Sequence, residues 1–167
     1  MKTILAVILF AVSVFAQQAP ALHPACGPLR VNFDTAMSAG QPPSKPEPGK
    51  ALVYVAEDFP AVIAATIKVG LDGHWVGAIQ GPSYVVFTID PGEHHLCINW
   101  QSSLRRFSKL VSFAHVTADS GKTYYFRARA ISFNSASDNY LDLDAIDSDE
   151  GEYLVASSKL STAQEKK

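Results

Sequence analysis

Phe113, His115, Tyr125, Arg127 and Arg129 are the residues whose types and spacing best suit chemistry in this 167-residue chain. In LVSFAHVTADSGKTYYFRARA they recur in steps of two, so a hairpin through Asp119-Ser120-Gly121 would gather them on one side of a ribbon. Two guanidinium forks beside aromatic faces and an imidazole suit an acidic or sugar-like ligand. A second reading is structural. Asp142 and Asp144 in YLDLDAI share the two-residue spacing and would pair with the arginines from an adjacent strand. The loop QSSLRRFSK adds Arg105, Arg106 and Lys109, a local basic spot that solvation alone explains, and Trp75 and Trp100 read as packing residues.

Other constellations are weaker. The chain has no Gly-rich phosphate loop, HExxH, paired CxxC or GxSxG elbow. His94 and His95 are strand neighbours whose side chains point to opposite faces, so a metal site would have to recruit partners from other strands. The acidic run from Asp142 to Glu152 lacks the ligand order of a calcium loop, because Ile146 stands at a ligand position. No metal, cofactor or catalytic residue is therefore expected. The alternative is a small-ligand or metal-dependent enzyme centred on His95, His115 and Arg127.

The elements that position these residues begin after a leader. Lys2 precedes an apolar run from Ile4 to Val12, too short to span a bilayer, and Val14 and Ala16 mark a cut before Gln17. Residues 1–16 read as a secretory signal peptide, which places the mature chain outside the cell or in the periplasm. A lipid anchor would need a cysteine directly after the apolar run, whereas Cys26 lies behind His23-Pro24-Ala25. No stable membrane anchor is expected after cleavage. Export makes a Cys26–Cys97 disulfide the natural reading of the two cysteines, a bridge contributing roughly 4 kcal/mol in the chain-entropy model. A formal net charge of −2 argues against nucleic acid, whose phosphates call for a basic surface.

Residues 17–49 form an N-terminal segment and, from Asp34, a connector with prolines at 42, 43, 46 and 48, expected to be extended. From Lys50 to Asp147 short β-branched and aromatic runs alternate with turn residues, the pattern of an antiparallel sandwich domain. Asp72-Gly73 predicts a type I′ hairpin pairing Leu71 with His74 and Val69 with Val76, with Trp75 over Gly70 and Gly77. Pro91-Gly92 predicts a hairpin pairing Phe87 with Leu96, which turns Cys97 away from the core toward an N-terminal segment held by Cys26. Asp119-Ser120-Gly121 predicts a third, setting Val116 on Tyr124 and Ala114 on Phe126. Residues 148–167 should hold a helix capped by Asp147, packing through Tyr153, Leu154, Ser157 and Leu160, followed by a frayed end.

The runs KALVYV, VGLDGHWVGAI, SYVVFTIDPGEHHL and GKTYYFRARA together resemble the bacterial exported family known as domain of unknown function 2846, over about residues 50–131. The DG-x-x-VG and PGEH elements are also similar to PEGA-type and transthyretin-like surface domains. The resemblance implies an envelope β-sandwich and carries over no catalytic residues. Many members of that family look lipid-anchored, which this chain does not match. The expectation is thus an all-β protein: an antiparallel Ig-like or transthyretin-like sandwich of about seven to eight strands with a short C-terminal helix. Its function would be to bind or scaffold an envelope protein, polymer or small ligand.

Overall fold

The computed structural model describes residues 23–40, 42–58, 65–131 and 139–167, so the signal-peptide reading of residues 1–16 lies outside the described residues. Along the chain these residues form β1 (Phe33–Ser38), β2 (Ala51–Glu57), β3 (Thr66–Leu71), β4 (His74–Gln80), β5 (Ser83–Ile89) and β6 (Gly92–Gln101). There follow the single turn α1 (Arg105–Ser108), β7 (Val111–Ala118), β8 (Thr123–Ile131), β9 (Tyr140–Ile146), α2 (Ser148–Ser157) and β10 (Lys159–Glu165). The class is all-β and sandwich-like. One sheet runs β1-β10-β5-β2-β8-β9 and the other β4-β3-β6-β7, antiparallel except where β10 meets β5 and β2 meets β8.

Strand β2 organises the larger sheet. All seven residues of ALVYVAE are buried, the mark of a central strand covered on both faces. Val53 and Val55 point inward with Phe126 and Ala128 of β8, against Ile67, Val69, Leu96, Ile98 and Trp100 of the smaller sheet. Burying each of these aliphatic side chains is worth roughly 1.5–3 kcal/mol before ordering costs. Leu52 and Tyr54 point outward with Tyr84 and are covered by Leu154 of α2.

The β3–β4 hairpin forms with Leu71 opposite His74, and Asp72 and Gly73 take the positive φ values, 47° and 88°, that a type I′ turn requires. A bulge between Val69 and Gly70 then shifts the register, so Val69 pairs with Gly77 rather than Val76. Gly77 consequently faces Val85 across the core and does not lie under Trp75, while Gly70 keeps the indole against its backbone.

The other two expected hairpins are not formed. At Pro91-Gly92 and at Asp119–Gly121 the chain crosses from one sheet to the other: β5 pairs with β2, and β6 pairs with β3 and β7. Similarly β8 leaves β7 to pair with β2 and β9. The physical reason is the fully buried β2, which takes β5 and β8 as its neighbours. Hydrogen bonds from Gly121 N to Lys50 O and from Leu52 N to Lys122 O steer the emerging strand toward it.

Strands β1 and β10 also join the sandwich, so the sheets extend beyond residues 50–147 and, among the described residues, hold more strands than expected. Asp34–Ser38, expected as connector, lies in β1 and pairs with β10, and Ser161 of β10 donates to Ala78 O at 2.7 Å. The terminal residues through Glu165 are therefore a strand, not a frayed end. Asp147 caps α2 by accepting from Glu150 N at 2.9 Å. The helix packs through Gly151 and Leu154, while Tyr153 is 71% exposed and Leu160 belongs to β10. With no side chain, Gly151 lets α2 settle directly on the Tyr125 ring.

Candidate functional site

The crossing at Asp119–Gly121 divides the expected patch. Phe113 and His115 lie on the outer face of β7 in the smaller sheet. Tyr125, Arg127 and Arg129 lie on the outer face of β8 in the larger one. Arg127 sits opposite Asp144 and Arg129 opposite Asp142. Arg129 donates to Asp142 and to Asp144, both at 2.5 Å. Arg127 pairs with Glu150 at the start of α2 and stands 3.7 Å from Asp144. The Asp142 hydrogen bond, aided by both carboxylates, holds the Arg129 guanidinium above its already high value. These two cations are committed to joining β8, β9 and α2. Tyr125 is stacked on Tyr54 at 5.2 Å, and Tyr54 donates to Pro43 O of the proline-rich segment. Burial, reinforced by Tyr125 and Tyr84, pushes the Tyr54 phenol up to about 12, so it stays a neutral donor.

His95 and His115 face each other across β6 and β7, with Arg127 on the other sheet. Beside them His23, Asp72 and His95 line a cavity of about 340 Å³. Asp72 is committed to the turn: it accepts from His95 N at 2.8 Å and holds His94 Nδ1 at 2.6 Å. Burial opposes charge on His94, but Asp72 and the Asp90 carbonyl outweigh it and raise the imidazole above its usual value. Among the described residues no group of three or more His, Cys, Asp or Glu is placed to hold a metal ion.

The smaller sheet carries a different arrangement on its outer face. Cys26 and Cys97 stand at disulfide distance, 71 positions apart in sequence with Cα atoms 5.3 Å apart, tying residues 23–32 across the sheet as a strap. Cys97 points away from the Leu96 and Ile98 core, and Ala25, Cys26, Trp75 and Val111 pack around it. The strap fits because its partners are small. A side chain on Gly27 would overlap Trp75, and one on Gly70 would stand 3.1 Å from Ala25 O. Trp75 Nε1 donates to Pro28 O at 2.9 Å.

Under this strap lies Lys68 of β3. It is 2% exposed, its Nζ donates to Val31 O at 3.0 Å, and it lies 4.4 Å from the centre of the Trp75 ring. Desolvation pulls its ammonium down to about 8. Lys68 lines a cavity of about 440 Å³ together with Leu29 and Asn32 of the strap, Asn99 and Gln101 of β6, Arg105 of α1 and Lys109 just after it. The walls are fixed. Asn99 donates to Ser108 O and Leu110 O, each at 2.9 Å, and Gln101 exchanges hydrogen bonds with both backbone groups of Phe33. None of the described lining residues is acidic. Sequence reasoning noted Arg105 and Lys109 only as a solvated spot and passed over Lys68. The available signal was a lysine inside the apolar strand TIKVGL, on the side that Gly70 and Trp75 share.

No protein-family model matches the chain, and no curated protein is significantly similar to it.

Proposed function

We propose that the protein is an exported, non-catalytic binding module of a bacterial envelope. Its scaffold is read as an Ig-like or transthyretin-like variant of the sandwich, and its binding site as the cavity beneath the strap. The observation that carries this reading is the contrast in commitment. The arginines of β8 are bound to protein carboxylates, whereas Lys68, Arg105 and Lys109 share a cavity with no carboxylate among its described walls. A ready-formed cavity of this volume falls within the range of small-molecule sites.

Export is supported by the apolar run ahead of Gln17 and by the cysteine pair, which is at home in an oxidising compartment. The resemblance to the exported family known as domain of unknown function 2846 points the same way. Crossings between the two sheets support the Ig-like or transthyretin-like type, whose strands are linked in this manner. An enzyme built on His95, His115 and Arg127 would need all three at one point, and Arg127 occupies the other sheet.

The test has two parts. Expression of the whole chain in a bacterial host should yield a mature protein beginning at Gln17, with two cysteines that resist alkylation. Thermal-shift screening of that protein against charged and neutral envelope metabolites should find a stabilising compound whose effect is lost in Arg105→Ala/Lys109→Ala. A full-length cytoplasmic product, or a panel with no stabilising member, overturns the reading.

A further inference from the structure

We infer that the cavity takes a small anionic molecule, one carboxylate or phosphate group on a body of about monosaccharide size, with the anionic group bound at Lys68. This rests on the binding-module reading and names its ligand class. An ammonium carries three donors, and the structure assigns Lys68 one hydrogen bond, to the Val31 carbonyl, plus the face of Trp75. Burying a cation with so little compensation is costly, and fixed protein carboxylates are the usual remedy. Among the described residues none supplies one here, as neither Lys68, Arg105 nor Lys109 takes part in an ion pair.

The selection by charge follows from Coulomb's law. A cationic ligand would meet three like charges around the cavity, whereas an anion neutralises the buried one and gains from the two exposed ones. The volume decides size: about 440 Å³ is far more than a bare oxyanion fills and suits a sugar-sized molecule. The groups facing Lys68 are Trp75 from β4, Asn99 opposite it on β6, the Val31 carbonyl from the strap, and Arg105 and Lys109 across the cavity. An anion there favours the protonated amine, so binding is linked to a proton at Lys68 and weakens as pH rises above about 8.

Isothermal titration of the mature, oxidised protein at pH 7 with sodium glucuronate, glucose 6-phosphate and glucose tests this. At least one charged sugar should bind, with glucose at least tenfold weaker, and the stronger arm tells carboxylate from phosphate. Lys68→Met should weaken the anion at least tenfold and abolish the alkaline loss of affinity. Because Lys68 is buried, Arg105→Ala and Lys109→Ala serve as exposed variants: each should weaken the anion three- to tenfold with an unchanged melting temperature. Glucose binding as tightly as the charged sugars would overturn the inference, as would wild-type affinity in folded Lys68→Met and Arg105→Ala, or no binding of either anion. If a neutral compound from the thermal-shift panel still stabilises the protein, only the ligand class is lost. If no panel member does, the binding module falls with it.

Discussion

Two regions of this sandwich carry clustered cations, and they treat them in opposite ways. On the larger sheet Arg127 and Arg129 lie beneath carboxylates delivered by β9 and α2, so their charge joins three elements into one layer. On the smaller sheet Lys68 is more deeply buried than either arginine, yet meets a carbonyl and an indole. The first arrangement is what a fold needs from charge. The second is a cost to the fold that a ligand can recover, and it lies in a cavity with room for one. Residue type alone does not separate the two; the number of carboxylates that topology brings within reach does.

The comparison breaks most visibly if the strap is freed. Cys26→Ser/Cys97→Ser, or reduction, should remove roughly 4 kcal/mol, a fall of about 10 °C in the melting temperature. Because Leu29, Asn32 and the Val31 carbonyl belong to the strap, anion binding should vanish while the arginine layer stays intact. Calorimetry with and without reductant reads both effects.

Glu57 sharpens the contrast from the acidic side. This carboxyl is 2% exposed at the C-terminal end of β2, and among the described residues neither oxygen has a hydrogen-bond partner. Burial pushes it up to about 8. A raised carboxyl pKa means that stability is complete below pH 4.5 and declines as pH rises toward 8, by on the order of 4 kcal/mol in total. Glu57→Gln should flatten that slope in unfolding measurements and leave anion binding unchanged, because Glu57 does not border the Lys68 cavity.

Next in size is a paired substitution. Arg129→Met strands Asp142 and Asp144 and should cost about 1–2 kcal/mol, discounted for partial exposure, with anion affinity unaltered. Lys68→Met removes a poorly compensated ion and should hold or raise stability at neutral pH while weakening the anion at least tenfold. Denaturant unfolding of both variants checks the opposite signs. The smallest effect concerns the strap alone: Gly27→Ala pushes it off Trp75, and titration should show a several-fold weaker anion with a melting temperature lowered by a few degrees.

Much of this architecture was legible in two-residue alternation and turn chemistry. Asp72-Gly73 marked its hairpin, and the inward set Val69, Phe87 and Phe126 does share the core. The Cys97 side chain does point to a strap carrying Cys26. What failed was the inference from turn to partner. Pro91-Gly92 and Asp119-Ser120-Gly121 both reverse the chain, but a reversal does not state whether the next strand pairs with the last or crosses to the opposite sheet. That choice depends on β2, whose two neighbours lie far from it in sequence. The arginine pairs were readable because Asp142 and Asp144 keep the spacing of Arg127 and Arg129, whereas Glu150 comes from a helix whose seat depends on Gly151. The Lys68 cavity was not, since its walls come from the strap, β3, β6 and the α1 region, joined only in three dimensions.

The most direct test is an NMR pH titration of the Lys68 amine in the oxidised mature protein, alone and with saturating glucuronate or glucose 6-phosphate. The account predicts titration near 8 in the free protein and a clear upward move when the anion is bound. Titration near 10.5 in the free protein, unmoved by either anion, would contradict it.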